Sequence, residues 1–142
     1  MVAHDELSSE LAVFFAGRPD LPVSSAYLFG SRAEGGGHRE SDVDVAVLVG
    51  GEAGRDRAEA HRLRVRITSE LIAALHDNTV DLVVLDQAPP LFARAIVTSG
   101  RRAFCRDPAA DHDFVRDVQL KAADLEPFVE RGRRRVLEIL AS

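Results

Sequence analysis

One cysteine, Cys105, is all the thiol chemistry that this chain possesses. A lone cysteine excludes an internal disulfide and any metal cluster built on thiolates, and it fits a reducing compartment. Cys105 itself reads as a small apolar residue of a core strand. No apolar run approaches the ~20 residues of a membrane span. The opening "MVAHDELSSE" lacks the basic-then-apolar pattern of a secretory leader. A cytoplasmic protein without membrane contact is therefore expected. Positive charge is not in excess either: 18 Lys and Arg against 23 Asp and Glu leave a net charge of -5. No overall basic field draws the chain to nucleic acid, and strong nucleic-acid binding by the protein alone is not expected. His4, His38, His61, His76 and His112 are scattered without the spacing of metal ligands, and surface positions suit them. Internal repeats, long linkers and low-complexity tracts are absent.

What remains is an ordinary globular composition, 46% apolar and 29% charged over 142 residues, enough for one sizeable core. Leu7, Leu11, Phe14 and Phe15 recur at helical spacing over 5–16, and Gly17 and Pro19 end that helix. The stretches 23–29 and 42–49 have strand character, and "GGEAG" breaks the second. Leu63, Ile67, Leu71 and Leu75 recur every four residues in a helix over 55–76. A third strand covers 79–86. Pro89 and Pro90 open a short helix that Gly100 closes, and "RRAFCR" makes a short strand over 101–106. From Pro108 to Leu140 the pattern is helical, with Phe114, Val118, Ala122, Leu125 and Val129 on one face. Pro127 is expected to kink or break it. The order α-β-β-α-β-α-β-α predicts an α+β fold, one small mixed sheet flanked by helices.

The chemistry concentrates in "FGSRAEGGGHRESDVDVAVL", residues 29–48. Alternate strand residues share a face, so Asp42 and Asp44 point one way while Val43, Val45, Val47 and Val49 point the other, into a core. Two like charges so close are costly unless a cation sits between them. Hard carboxylate oxygens suit magnesium, which keeps waters and completes its shell with substrate phosphates. A D-x-D by itself fits solvated strand-end charges or a turn cap equally well. Gly30-Ser31 closes the preceding strand, where a glycine lets backbone approach a ligand and successive amides with a hydroxyl hold phosphate oxygens. Taken alone, that pair also fits a plain turn. Together the two features bring a phosphate cradle and a metal-binding pair onto neighbouring strands, the combination that phosphoryl chemistry needs.

Gly30-Ser31, ten residues, then Asp42-Val43-Asp44 resembles the signature of the DNA polymerase β-like nucleotidyltransferase superfamily. The surrounding "FGSRAEG…SDVDVAVL" and the later "VDLVVLDQAPPLFARAIVTSGRRAFCRD" resemble the minimal nucleotidyltransferases (MNT proteins) in particular, over residues 24–107. The resemblance implies a polymerase β-like nucleotidyltransferase domain over 1–107, with a C-terminal helical segment, 108–142, packed on it. It implies an antitoxin that transfers AMP from ATP, with Mg²⁺ or Mn²⁺, to a tyrosine hydroxyl of a cognate HEPN-family ribonuclease toxin, and a hetero-oligomer with that toxin. Asp42, Asp44 and a third acid would hold the metal, and Gly30, Ser31 and Arg32 the nucleotide. Asp81 matches the family position of the third acid, and a charge inside an otherwise apolar strand needs a reason. An edge-strand charge facing water is the plainer alternative. Asp86, at the strand end before "QAPP", fits a turn. Arg32 fits phosphate or solvent equally. His38 and the Gly35–Gly37 loop lie where a flap over the nucleotide would be. Tyr27 reads as core, with self-modification the alternative. The basic run 130–135 reads as a solvated helix face or as a docking surface for an acidic partner. Two other activities stay open: inhibition of a toxin by contact alone, and transfer to a small molecule, for which only about 35 residues remain beyond the core.

Overall fold

The computed structural model describes residues 3–30, 42–76 and 79–141. The sheet has four strands, β1 (Ser25–Phe29), β2 (Val43–Leu48), β3 (Val80–Val84) and β4 (Arg101–Cys105), in the order β3-β2-β1-β4. β1 runs antiparallel to both β2 and β4, and β2 runs parallel to β3. The sheet is thus mixed, as expected. Helix α1 (Ala3–Ala16) precedes it, α2 (Gly51–Arg55) and α3 (Arg57–Leu75) link β2 to β3, α4 (Pro90–Ser99) links β3 to β4, and α5 (Pro108–Ala141) follows.

Strand alternation divides the interior into two layers. Val43, Val45 and Val47 meet Leu7, Leu11 and Phe15 of α1 and Leu63, Ile67 and Leu71 of α3. The other face of the same strands, Tyr27, Ala46 and Leu48, meets Ala93 and Ile96 of α4 and Val118 of α5. Each buried Leu or Val side chain contributes about 1.5–3 kcal/mol relative to exposure.

Three expectations need correction. The "GGEAG" stretch does not simply break the chain: Gly50 (φ 83°) and Gly51 (φ 62°) make the turn, and a short helix, α2, follows at once. The next helix begins at Arg57 rather than 55, because the Asp56 carboxylate accepts the Ala58 and Glu59 amides at 3.0 and 3.2 Å and caps it. The break at Pro127 does not occur: α5 is one helix of 34 residues with Pro127 inside it. Its surroundings are exposed, so water satisfies the carbonyl that its missing N–H leaves without a helical partner. Cys105 lies on β4 as expected, yet it is only partly buried, because β4 is an edge strand. Gly100 closes α4 as expected, but with extended backbone (φ -81°). A Cβ there would come within 2.5 Å of the Ile96 carbonyl of the same helix and within 3.0 Å of the Leu28 carbonyl of β1, so the helix end and the adjoining strand together demand glycine.

The joint between α5 and the sheet is polar. Asp111, 4% exposed, accepts hydrogen bonds from the hydroxyls of Ser25 and Tyr27, both at 2.7 Å, and from Arg102 at 3.0 Å. Tyr27 is therefore core, as expected. Burial, then the neighbouring Asp111 carboxylate, pushes its phenol well above the usual tyrosine range. A buried carboxylate is tolerable because three donors surround it, and removing it leaves all three unpaired. Asp111→Ala is expected to cost about 3 kcal/mol in urea unfolding, whereas Asp117→Ala, on the exposed face of the same helix, stays within about 0.5 kcal/mol of wild type.

Candidate active site

The sheet register assembles the acidic residues. Phe29 is paired with Asp44 across β1 and β2, and Asp44 with Asp81 across β2 and β3. Gly30 leaves β1 one residue beyond Phe29, and Asp42 enters β2 one residue before Val43. Val43 and Val45 are fully buried in the layer of α1 and α3, so alternation places Asp42 and Asp44 on the opposite face. Leu82 and Val84 are buried in that same layer, which puts Asp81 on the face of Asp44.

The three carboxylates differ in environment. Asp44 is partly buried, whereas Asp42 and Asp81 are exposed. The Asp44 carboxyl titrates above the ordinary aspartate range, first because burial penalises its charge and then because Asp81 and Asp42 repel it. Asp81 is exposed on an edge strand, as a merely solvated charge would be; what register adds is its position across from Asp44. Asp42 is held by the Thr79 hydroxyl, which donates to its Oδ1. Thr79 escapes a reading of the sequence because it lies 37 residues away and precedes its strand without a motif.

Gly30 has φ 77°, in the left-handed region. A Cβ at this position would strike Asp44 Oδ2 and lie 3.2 Å from its Cγ. The neighbour that keeps the position bare is thus the Asp44 carboxylate. Below the turn lies a cleft of about 180 Å³ lined by Phe29, Gly30, Phe92, Ile96, Ser99 and Gly100. Phe29 and Phe92 meet edge to face at 6.1 Å. Neither phenylalanine carries a signal in the sequence that separates it from core. Ser31, Arg32, the Gly35–Gly37 loop and His38 lie outside the described residues.

Asp86 serves a turn, though not the one at its own strand end that was expected. Its carboxylate accepts the Val49 and Gly50 amides at 2.9 and 2.8 Å, pinning the turn after β2. His61, His76 and His112 are exposed, as expected. In the basic run, Arg131 stands over the Phe128 ring at 4.7 Å on an exposed helix face.

Among the described residues no three His, Cys, Asp or Glu side chains close into a complete metal-binding set. The donors are nevertheless all hard oxygens, they repel one another, and they leave an open shell. That fits magnesium, which binds through one or two carboxylates plus water and phosphate. The raised Asp44 pKa has a sign that can be tested. A carboxyl whose folded pKa lies above its unfolded value favours folding below the ordinary aspartate range, and that contribution is lost as pH rises through the folded pKa. Metal-free Asp44→Asn should therefore melt higher than wild type at pH 7, and the gain should shrink as pH falls through the raised pKa and be gone below about 4; differential scanning calorimetry across that range checks it.

A family profile described as "Polymerase beta, Nucleotidyltransferase" matches residues 12–109. The chain is 37% identical over 86 residues to the protein adenylyltransferase MntA of Shewanella oneidensis, an alignment covering 60% of this chain and 57% of that protein. The chain thus matches little more than half the length of that relative. Among solved structures it resembles a toxin–antitoxin crystallised with AMP-PNP, with a TM-score of 0.66 and 24% identity over 95% of this chain and 98% of the other. It also resembles a chain in the complex of a tri-AMPylated Shewanella oneidensis HEPN toxin with its MNT antitoxin, with a TM-score of 0.60 and 23% identity over 96% and 98%. At these identities the structural likeness is one of fold.

Proposed function

The chain belongs to the polymerase β nucleotidyltransferase family, and we propose that it transfers AMP from ATP to a hydroxyl of a HEPN-family toxin and so silences it. The observation that carries this reading is the register Phe29↔Asp44↔Asp81, which gathers three carboxylates beside the turn at Gly30. The resemblance to a protein adenylyltransferase and to toxin–antitoxin complexes supports the choice of acceptor.

The roles of the acids rest on register and those of Ser31 and Arg32 on the family resemblance. Asp42, Asp44 and Asp81 are the residues that would hold Mg²⁺, which when bound supplies neutralisation of phosphate charge. Gly30 and Ser31 cradle the β- and γ-phosphates of ATP, and Arg32 steadies their charge. Asp81, exposed on its edge strand, faces the acceptor and takes up the proton of the attacking hydroxyl. The acceptor oxygen forms a bond to the α-phosphorus, the bond from that phosphorus to the β-phosphate bridging oxygen breaks, and pyrophosphate leaves with the electron pair. Positioning and charge neutralisation do most of this work.

A second reading, inhibition by contact alone, is favoured by one observation: Phe128, Val136, Leu137, Ile139 and Leu140 of α5 are all more than half exposed. Co-expression with the toxin separates the two. Intact-mass spectrometry should find the toxin heavier by one or more AMP units, and it should stay inactive after the antitoxin is stripped away. Asp42→Asn with Asp44→Asn should reduce transfer at least about a hundred-fold while leaving the far-UV circular dichroism unchanged. An unmodified toxin neutralised equally by wild type and by the Asp42/Asp44/Asp81 triple Asn variant would establish the contact reading instead.

A further inference from the structure

We infer that the open edge of β3 is the docking site for the acceptor, and that it takes an extended, acidic segment of the acceptor protein as an added strand. This rests on the transferase reading above and names how its protein substrate is held. β3 is an edge of the sheet, so among the described residues one side of its backbone has no strand neighbour. The Val43 amide donates to the Thr79 carbonyl at 2.8 Å, which turns the backbone groups of Thr79, Asp81 and Val83 toward β2. Alternation then turns those of Val80, Leu82 and Val84 outward. Such a row of free donors and acceptors is a template for another strand.

A groove of about 350 Å³ runs along this edge. Three successive strand residues, Leu82, Val83 and Val84, form its floor. Since successive strand residues face opposite ways, the groove lies on the edge itself, between the helix layers. One wall is α3, which presents Arg57, His61 and Arg64 at i, i+4 and i+7. The other is the start of α4, with Ala88, Pro89 and Phe92. Among the described residues no acidic side chain lines the groove, and Arg57 and Arg64 make no ion pair. Their neighbours Arg62 and Arg66, by contrast, are paired with Glu59 and with Asp20 and Glu70. Two unpaired guanidinium groups above a free backbone edge call for an extended chain with carboxylates.

The groove also leads to the right place. Val83 shares its sheet face with Asp81, two residues or about 7 Å away. Phe92 borders both this groove and the cleft below Gly30. A segment laid along β3 thus carries a hydroxyl on its own side chain to the carboxylates, and the edge that opens Asp81 to solvent is the edge that presents the acceptor.

The test uses the full chain and the intact HEPN-family partner, with Arg57→Glu/Arg64→Glu as the variant. Three quantities are read: MgATP affinity by calorimetry, KM and kcat for AMP transfer to the partner, and hydrogen exchange at the amides of Leu82 and Val84. The variant should bind MgATP within about two-fold of wild type, because exposed charges on α3 are screened beyond the Debye length. Its KM for the partner should rise about ten-fold or more with kcat little changed. In the wild type, the partner should slow exchange at Leu82 and Val84. An unchanged KM, or unprotected amides in a complex that forms, would overturn the proposal. Failure of wild type to bind MgATP or transfer AMP would sink the transferase reading instead, and protection of β3 in the bound complex would still decide the docking. Protection by a short single-stranded RNA but not by the partner would assign the groove to RNA and overturn the inference.

Discussion

The side-chain alternation of β2 is the constraint from which the rest follows. Val43, Val45 and Val47 are locked in the layer of α1 and α3, so Asp44 has no freedom to leave the opposite face. The pairing of β2 with β1 and β3 then sets Asp44 beside the Gly30 turn on one flank and Asp81 on the other. A one-residue slip would bury the carboxylates and expose the valines. Hydrophobic burial worth several kcal/mol thereby holds mutually repelling charges in place, and the raised pKa of Asp44 records the strain.

The helices on the second face serve that arrangement. α4 carries Phe92 against Phe29 and ends at Gly100, where a side chain would strike the Ile96 carbonyl and crowd that of Leu28 on β1. α5 is fastened by Asp111, which gathers Ser25, Tyr27 and Arg102 from β1 and β4. Beyond Ala122 no residue of the helix is buried and its large apolar residues are exposed, although Glu126 still pairs with Arg94 of α4 at 2.5 Å. The two faces of the sheet therefore differ in character: a dry layer that sets register, and a layer with polar joints that borders the carboxylates.

The edges of the sheet differ as well. β4 is covered in part by α1, with Phe104 stacked on Phe15 at 5.6 Å. Among the described residues the outer backbone of β3 has no such cover, and a basic wall from α3 stands over it. An open edge is ordinarily a liability that charge or cover blunts. Here it adjoins Asp81, so the exposure that would invite aggregation also makes the carboxylate reachable from outside.

Local pattern was enough for a good deal of this protein. Period-two alternation put Asp42 and Asp44 on one face, and the element order foretold a mixed sheet between helices. Resemblance to the minimal nucleotidyltransferases singled out Asp81. What failed was whatever depended on partners distant in the chain. A short helix, α2, formed in the stretch expected only to break the chain, α3 began at its Asp56 cap, α5 continued through the exposed Pro127, and the edge position of β4 left Cys105 only partly buried. Thr79 meets Asp42 across 37 residues and Tyr27 meets Asp111 across 84; no periodicity encodes such pairs. Alternation is a property of one strand, written in consecutive residues, and the sequence by itself determined it. Which strand lies at an edge, which carboxylate is buried and which hydroxyl reaches it depend on how separate segments pack, and only the tertiary structure decided those.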